Sequence, residues 1–252
     1  MLIPKSISID MIMNTKANNL SFVDLHTHCL PQMDDGAKDC DMSVRMLQTL
    51  KNQGARKVFL TSHYYPQREP IPNFLQRRSE SYQLLSSFRG TADSPETFLG
   101  AEIYLTQGLC EVDLRPLCLG DTRILLLELP RQSYRPWILE ELRNLTYALN
   151  IIPVLAHIER YQAYYHSQDF QELLSFEDLI LQFNAGALQN RENRRFLYSL
   201  SEEGYPMLIG SDTHDMGERM PSFDKALPVL TKKRHGQELL LNVQKTCADL
   251  GL

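Results

Sequence analysis

Residues 20–36 read L-S-F-V-D-L-H-T-H-C-L-P-Q-M-D-D-G. The run 20–25 is too short for a typical helix and reads as a buried strand. It ends in three metal-competent side chains, Asp24, His26 and His28. On a strand, residues i and i+2 point to one face, so His26 and His28 can reach a single ion. A loop between Pro31 and Gly36 follows. D-D-G is ordinarily a turn, but here it lies close enough to fold back over the histidine pair, which makes Asp35 a candidate ligand.

The same pattern repeats along the chain. Apolar runs at 57–61, 97–103, 123–129, 151–156, 179–183 and 207–210 are rich in Val, Ile, Leu or Phe and predict strands buried on both faces. Amphipathic segments at 41–52, 74–88, 136–149, 169–176, 192–203 and 237–250 predict helices between them, the first with Gly54 just past its end as a cap. Strand–helix alternation implies βαβ units in a single α/β domain. The runs end at His63, Glu102, Glu128, His157, Asn184, and Asp212 with His214. In a parallel α/β barrel all strand C-termini meet at one face, and that face carries the active site. Seven strand ends converging on one spot predict a seven-stranded barrel with a loaded mouth.

A chain of 252 residues can bury a full core as one such domain. The expected domain is 22–252, preceded by an N-terminal extension over 1–21 that has neither signal-peptide nor membrane-span character. The net charge of −5 disfavours bulk nucleic-acid binding. The Lys232-Lys233-Arg234 cluster reads as a solvated loop. Five cysteines without C-x-x-C fit free thiols in a reducing compartment. No cysteine lies at the C-x5-R spacing of thiolate phosphatases or before a Gly-rich loop, so no cysteine nucleophile is expected. The expected location is cytoplasmic, with no membrane insertion.

Each candidate has an ordinary reading when taken alone: His63 as a satisfied structural histidine, Arg160 and Arg219 as surface ion-pairing groups. Glu102 and Glu128 sit inside strongly apolar runs, where an unpaired carboxylate is costly. Together the chain offers His26, His28, Asp35, His63, Glu102, Glu128, His157, Asp212 and His214, too many ligands for one ion. Two or three divalent cations are implied, with Glu102 bridging. Mixed imidazole and carboxylate donors suit Mn, Fe, Zn or Co. Arg160, three residues after His157, and Arg219, five after His214, offer guanidinium forks to a phosphate.

D-L-H-T-H-C-L-P-Q-M-D-D-G-A, T-S-H-Y, G-A-E-I-Y, L-L-E-L-P, L-A-H-I-E-R-Y, Q-F-N-A and G-S-D-T-H run in that order from Phe22 to about Leu230. In this the chain resembles the polymerase-and-histidinol-phosphatase (PHP) family. Within it, the chain is most similar to the bacterial manganese-dependent protein-tyrosine phosphatases of capsule and exopolysaccharide production, the CpsB/YwqE type. The resemblance implies a distorted seven-stranded β/α barrel, Mn²⁺ as the leading metal, and the same nine ligands. It also implies Arg160 and Arg219 as phosphate-binding residues. The implied reaction is hydrolysis of a phosphomonoester by a metal-activated hydroxide, with Asp212 handling a proton. The implied substrate is the phosphotyrosine tail of a polysaccharide-export tyrosine kinase; homo-oligomer formation stays open. The loop 64–72 and the Arg131/Arg135/Trp137 segment depart from the family pattern.

Three other readings compete. A small-molecule phosphatase of the histidinol-phosphate type would use Tyr64, Tyr65 and Trp137 to close its pocket. An amidohydrolase-type deacylase is disfavoured because Glu102 and Glu128 stand where a bridging lysine would be expected. A non-catalytic partner-binding protein would be expected to lack several of these ligands.

Overall fold

A computed structural model describes residues 21–252, so the expected extension over 1–21 lies, Ser21 apart, outside the described residues. All seven apolar runs form strands: β1 (Phe22–Thr27), β2 (Ala55–Leu60), β3 (His63–Tyr64), β4 (Glu96–Leu99), β5 (Glu102–Tyr104), β6 (Ile124–Glu128), β7 (Ile152–Leu155), β8 (Ile180–Asn184) and β9 (Met207–Gly210). The helices are α1 (Cys40–Asn52), α2 (Ile71–Gln83), α3 (Trp137–Tyr147), α4 (Ser167–Leu174), α5 (Arg191–Glu202), α6 (Phe223–Lys232) and α7 (Arg234–Leu250).

The expected α/β domain of parallel strands is present, but the distorted seven-stranded barrel is corrected. Among the described residues nine strands form two parallel sheets, one of three strands ordered β1-β2-β4 and one of six ordered β3-β5-β6-β7-β8-β9. The count rises because two runs break where small residues interrupt them. β2 stops before Thr61-Ser62 and resumes as β3, and β4 stops before Gly100-Ala101 and resumes as β5. The second break is pinned by the buried Arg78, which donates to Gly100 O at 2.8 Å and Pro116 O at 2.9 Å. Between β1 and β9 there is no strand ladder, only an isolated bridge from Thr27 to Thr213 and single backbone bonds such as Asp212 N to His26 O at 2.7 Å. Gly210 permits that approach, since a Cβ there would lie 2.6 Å from His26 Cβ.

The alternation of strand side chains builds the interior. Leu126, Val154, Ile180 and Leu208 point into an inner apolar cluster, while Leu125, Leu127, Leu155, Leu181 and Phe183 pack outward into the larger core beneath the helices. Along β6 and β8 the inward face then turns polar: Leu126 is followed by Glu128, and Ile180 by Gln182 and Asn184, whereas β7 and β9 run on to Ala156 and Gly210. The C-terminal strand ends therefore hold a buried polar layer directly above an apolar one.

Local sequence accounts for most helices. Asp39 caps α1 by accepting from Met42 N, Met46, Leu47 and Leu50 face the core, and Gly54 just past the end has φ 106°. Asn190 caps α5 in the same way. α6 is an addition, and its Pro228 masks the helical pattern. Lys232, Lys233 and Arg234 are exposed as expected, but at the α6–α7 junction and not in a loop.

Candidate metal centre

All nine sequence-predicted ligands meet at the C-terminal strand ends. Ligand atoms of His28, Asp35, His63 and His214 lie within 4.8 Å of one another, as do those of His26, His28 and Glu102, and those of His63, Glu102 and Glu128. His157 joins through Glu102, its Nε2 2.9 Å from Oε1. Asp212 joins through His26 and His28, its Oδ1 3.4 Å from each Nε2. Glu102, 1% exposed, is central: its Oε2 lies 3.2 Å from His26, 3.4 Å from His28 and 2.8 Å from His63.

Backbone strain sets two of these residues. His157 has φ 35° and Asp212 φ 52°, in the left-handed region that costs a non-glycine residue of order 1–3 kcal/mol. Surrounding bonds hold them there, for His157 N donates to Gln182 Oε1 at 2.8 Å and Asp212 N to His26 O. Gly36 is required on the opposite side. A Cβ at that position would sit 2.1 Å from His28 O, so only glycine lets the 31–36 loop fold onto the histidine pair.

Sequence reasoning missed what orients the imidazoles. His26 Nδ1 faces Gln182 Oε1 at 3.1 Å, His28 Nδ1 faces Asp34 Oδ2 at 2.8 Å, and His214 Nδ1 faces Asp212 O at 2.9 Å. Each bond ties up Nδ1 as a donor and leaves an Nε2 lone pair aimed at the cluster, the arrangement metal-binding histidines use. Asp34 also accepts from His63 N at 2.9 Å. The available signal for Gln182 was a polar residue inside L-I-L-Q-F-N. The available signal for Asp34 was its place beside Asp35 in D-D-G.

The donor set fits divalent cations. Glu102 Oε2 and His214 Nε2 are buried with no hydrogen-bond partner, although imidazoles or carboxylates approach both closely. Each belongs to a group of ligand atoms within 4.8 Å of one another, and buried polar atoms left so are costly without a partner. Burial opposes charge on Asp212, yet His26, His28 and Arg160 hold its carboxyl well below the usual range; Glu102 is likewise held ionised, by His26 and His157. Burial also works against charge on His63, but Asp35 and Glu102 push it up to about 9. A pocket that draws positive charge onto an imidazole this strongly is one that favours a cation.

Above the cage opens a cavity of about 720 Å³. Arg160 and Arg219 are among the residues that line it. Arg160 pairs with Asp212 Oδ2, and Arg219 reaches Asp35 Oδ2 at 3.1 Å and Asp212 Oδ1 at 3.4 Å. Arg131 also lines it, donating to Glu128 Oε1 at 2.7 Å. The thiols stand apart from this chemistry: burial pushes Cys118 and Cys247 up to about 11, and no cysteine lines the cavity. No helix among the described residues is long and apolar enough to cross a membrane.

Known proteins share both sequence and fold with this chain. Tyrosine-protein phosphatase CpsB of Streptococcus pneumoniae is 28% identical over 228 residues, covering 84% of this chain and 90% of that protein. Tyrosine-protein phosphatase YwqE of Bacillus subtilis is 29% identical over 223 residues, 86% of each. A crystal structure from the study of YwqE and CpsB, described there as metal-dependent tyrosine phosphatases, superposes with a TM-score of 0.75. It has 23% identity and covers 91% of this chain and 94% of that one, a likeness of fold. The family model for capsular polysaccharide synthesis proteins CpsB/CapC matches residues 22–247, and the chain belongs to that family.

Proposed function

We propose that this chain is a metal-dependent phosphomonoester hydrolase, specifically a protein-tyrosine phosphatase. Its substrate is the phosphotyrosine tail of a tyrosine kinase in capsular or exopolysaccharide biosynthesis. The observation that carries this reading is the buried cage of imidazoles and carboxylates beneath a cavity lined by arginines. The curated names of the relatives support the choice of phosphotyrosine. A substrate of that kind puts the chain in the cytoplasm.

His26, His28, Asp35, His63, Glu102, Glu128, His157, Asp212 and His214 would hold two or three divalent cations, Mn²⁺ foremost, with Fe, Zn or Co suited to the same donors. Such ions, when bound, supply Lewis acidity that lowers the pKa of water and offsets phosphate charge. Arg160 and Arg219 bind the phosphate oxygens. Asp212 accepts from both guanidiniums and so fixes the distance between them. Each guanidinium has five N–H donors, which leaves several for the phosphate. In this reading Asp212 or a neighbouring ligand would take up the proton of the attacking water. A phenolate is a good leaving group, so the reaction needs no dedicated general acid.

The small-molecule reading needs Tyr64, Tyr65 and Trp137 to close the pocket. Only Tyr65 lines the cavity. Tyr64 is buried with its ring 5.0 Å from that of Phe74, and Trp137 packs against the core at the start of α3. The deciding experiment is a phosphatase screen of purified protein, with metal content measured alongside. With added Mn²⁺ we expect turnover of phosphotyrosine peptides well above histidinol phosphate or a nucleotide, and loss of that turnover on chelation. Full activity after exhaustive chelation, with no metal detected, would sink the reading.

A further inference from the structure

Five arginines line the cavity, and four of them are already committed to carboxylates. Arg77 pairs with Glu69 at 2.6 Å, Arg131 with Glu128 at 2.7 Å, Arg160 with Asp212, and Arg219 with Asp35 at 3.1 Å. Arg68 alone has no carboxylate partner among the described residues. It is nevertheless held in place. Its guanidinium lies 4.0 Å from the centroid of the Tyr65 ring, and its backbone N–H donates to Tyr65 O at 2.9 Å.

Tyr65 is part of an aromatic wall at the cavity mouth. Its ring centroid lies 5.4 Å from that of His63 and 5.8 Å from that of Tyr104. This wall runs from the metal cage outward, and Arg68 closes its outer end. The ring contact holds the guanidinium in place over Tyr65, and its N–H groups have no carboxylate partner among the described residues and so can serve an anion.

We propose that Tyr65 and Arg68 form a second recognition subsite, which selects substrates carrying an anionic group on a residue next to the phosphotyrosine. The inference rests on the phosphotyrosine-phosphatase reading above. With the reacting phosphate in the cage, the phenyl ring lies along the aromatic wall. The neighbouring residue then passes Arg68, the cavity's one arginine whose charge is not already neutralised. Aspartate or glutamate carboxylates and a second phosphate share the required chemistry.

The test compares kcat/KM on four substrates with added Mn²⁺: p-nitrophenyl phosphate, and phosphotyrosine peptides flanked by glutamate, by a second phosphotyrosine, or by glutamine. The wild-type protein should prefer the anionic peptides on the order of five-fold, as one exposed charge contact gives, and added salt should erode the preference. Whichever anionic peptide is preferred identifies the natural flank as carboxylate or phosphate. Arg68→Gln should abolish the preference and leave p-nitrophenyl phosphate turnover unchanged, and Arg68→Lys should keep part of it. Turnover of p-nitrophenyl phosphate with equal rates on all peptides would overturn this inference alone, as would a preference that survives Arg68→Gln. No turnover of any substrate would overturn the phosphatase reading and this inference with it.

Discussion

The floor of the metal cage and its rim are built from the same residue types on opposite physical terms. On the floor, His26, His28, Glu102, His157 and Asp212 are fully or almost fully buried, and His26 and His28 are braced by Gln182 and Asp34. On the rim, the Asp35 side chain is 60% exposed and accepts from Arg219; Glu128 is as buried as the floor but shares its carboxylate with the exposed Arg131. Buried, braced ligands cannot move away from an ion, and their unsatisfied atoms have no water to turn to. Asp35, open to solvent, is screened and can turn to water or to Arg219. The floor would therefore fix the geometry of a bound ion, and the rim would adjust to what enters.

The sharpest way to break this distinction is to remove one charge from each layer. Glu102→Gln keeps the shape and removes the central anion, and we expect kcat/KM to fall more than about 10³-fold with loss of bound metal, beyond the 10–100-fold cost of losing a supporting group. Asp35→Asn should cost about ten-fold or less and retain most of the metal, as expected for a solvent-screened carboxylate. Elemental analysis and steady-state kinetics on both proteins decide it. Equal losses would erase the difference between floor and rim.

Next in size are the arginines that join the two layers. Arg160→Ala and Arg219→Ala should each lower kcat/KM by about 10²–10³ with metal content intact, because each removes one preorganised donor to the transition-state phosphate. Lysine should rescue only part, lacking the planar fork. Near-normal kinetics in both alanine variants would confine these residues to their ion pairs with Asp212 and Asp35. Metal loss would instead make them part of the cage.

Much of this was legible in the chain because strand-end chemistry leaves a direct trace. H-T-H, G-A-E, L-L-E, A-H and S-D-T-H each terminate an apolar run, and the structure gathers all nine side chains. The division into nine strands and two sheets was not legible. Thr61-Ser62 and Gly100-Ala101 break their strands without disturbing the hydrophobic pattern, and the β1–β9 seam depends on side-chain and bridge contacts that periodicity does not encode. α6 escaped notice because Pro228 lies inside it. Tyr64 and Tyr65 are neighbours of one type, yet one is buried in the core and the other faces the cavity, and only the short β3 decides which. Gln182 and Asp34 act through other residues and so bear no metal-binding signature of their own.

A last effect, on metal affinity and not on kcat, tests that missed layer. Asp34→Asn leaves every direct ligand in place but weakens the brace shared by His28 and the His63 backbone. Metal affinity should fall about 10–100-fold, measured by titration of the metal-free protein, with kcat recovered at saturating metal. An unchanged affinity would show that the 31–36 loop alone orients His28.

The seam between the first and last strands also has a consequence in time. Ser211 N donates to Asp24 Oδ1 at 2.8 Å, a contact between residues 187 apart in the chain. On the ribosome, His26 and His28 emerge early, whereas Asp212 and His214, which complete their surroundings, emerge near the end. Closing so long a loop is slow compared with forming local helices. The growing chain thus carries six of the nine ligands by Glu128, but lacks Asp212 and His214, which close the cage over His26 and His28, until all the others are made. Assembly of the full ligand set, and with it any discrimination among metals, is among the last events in making this protein.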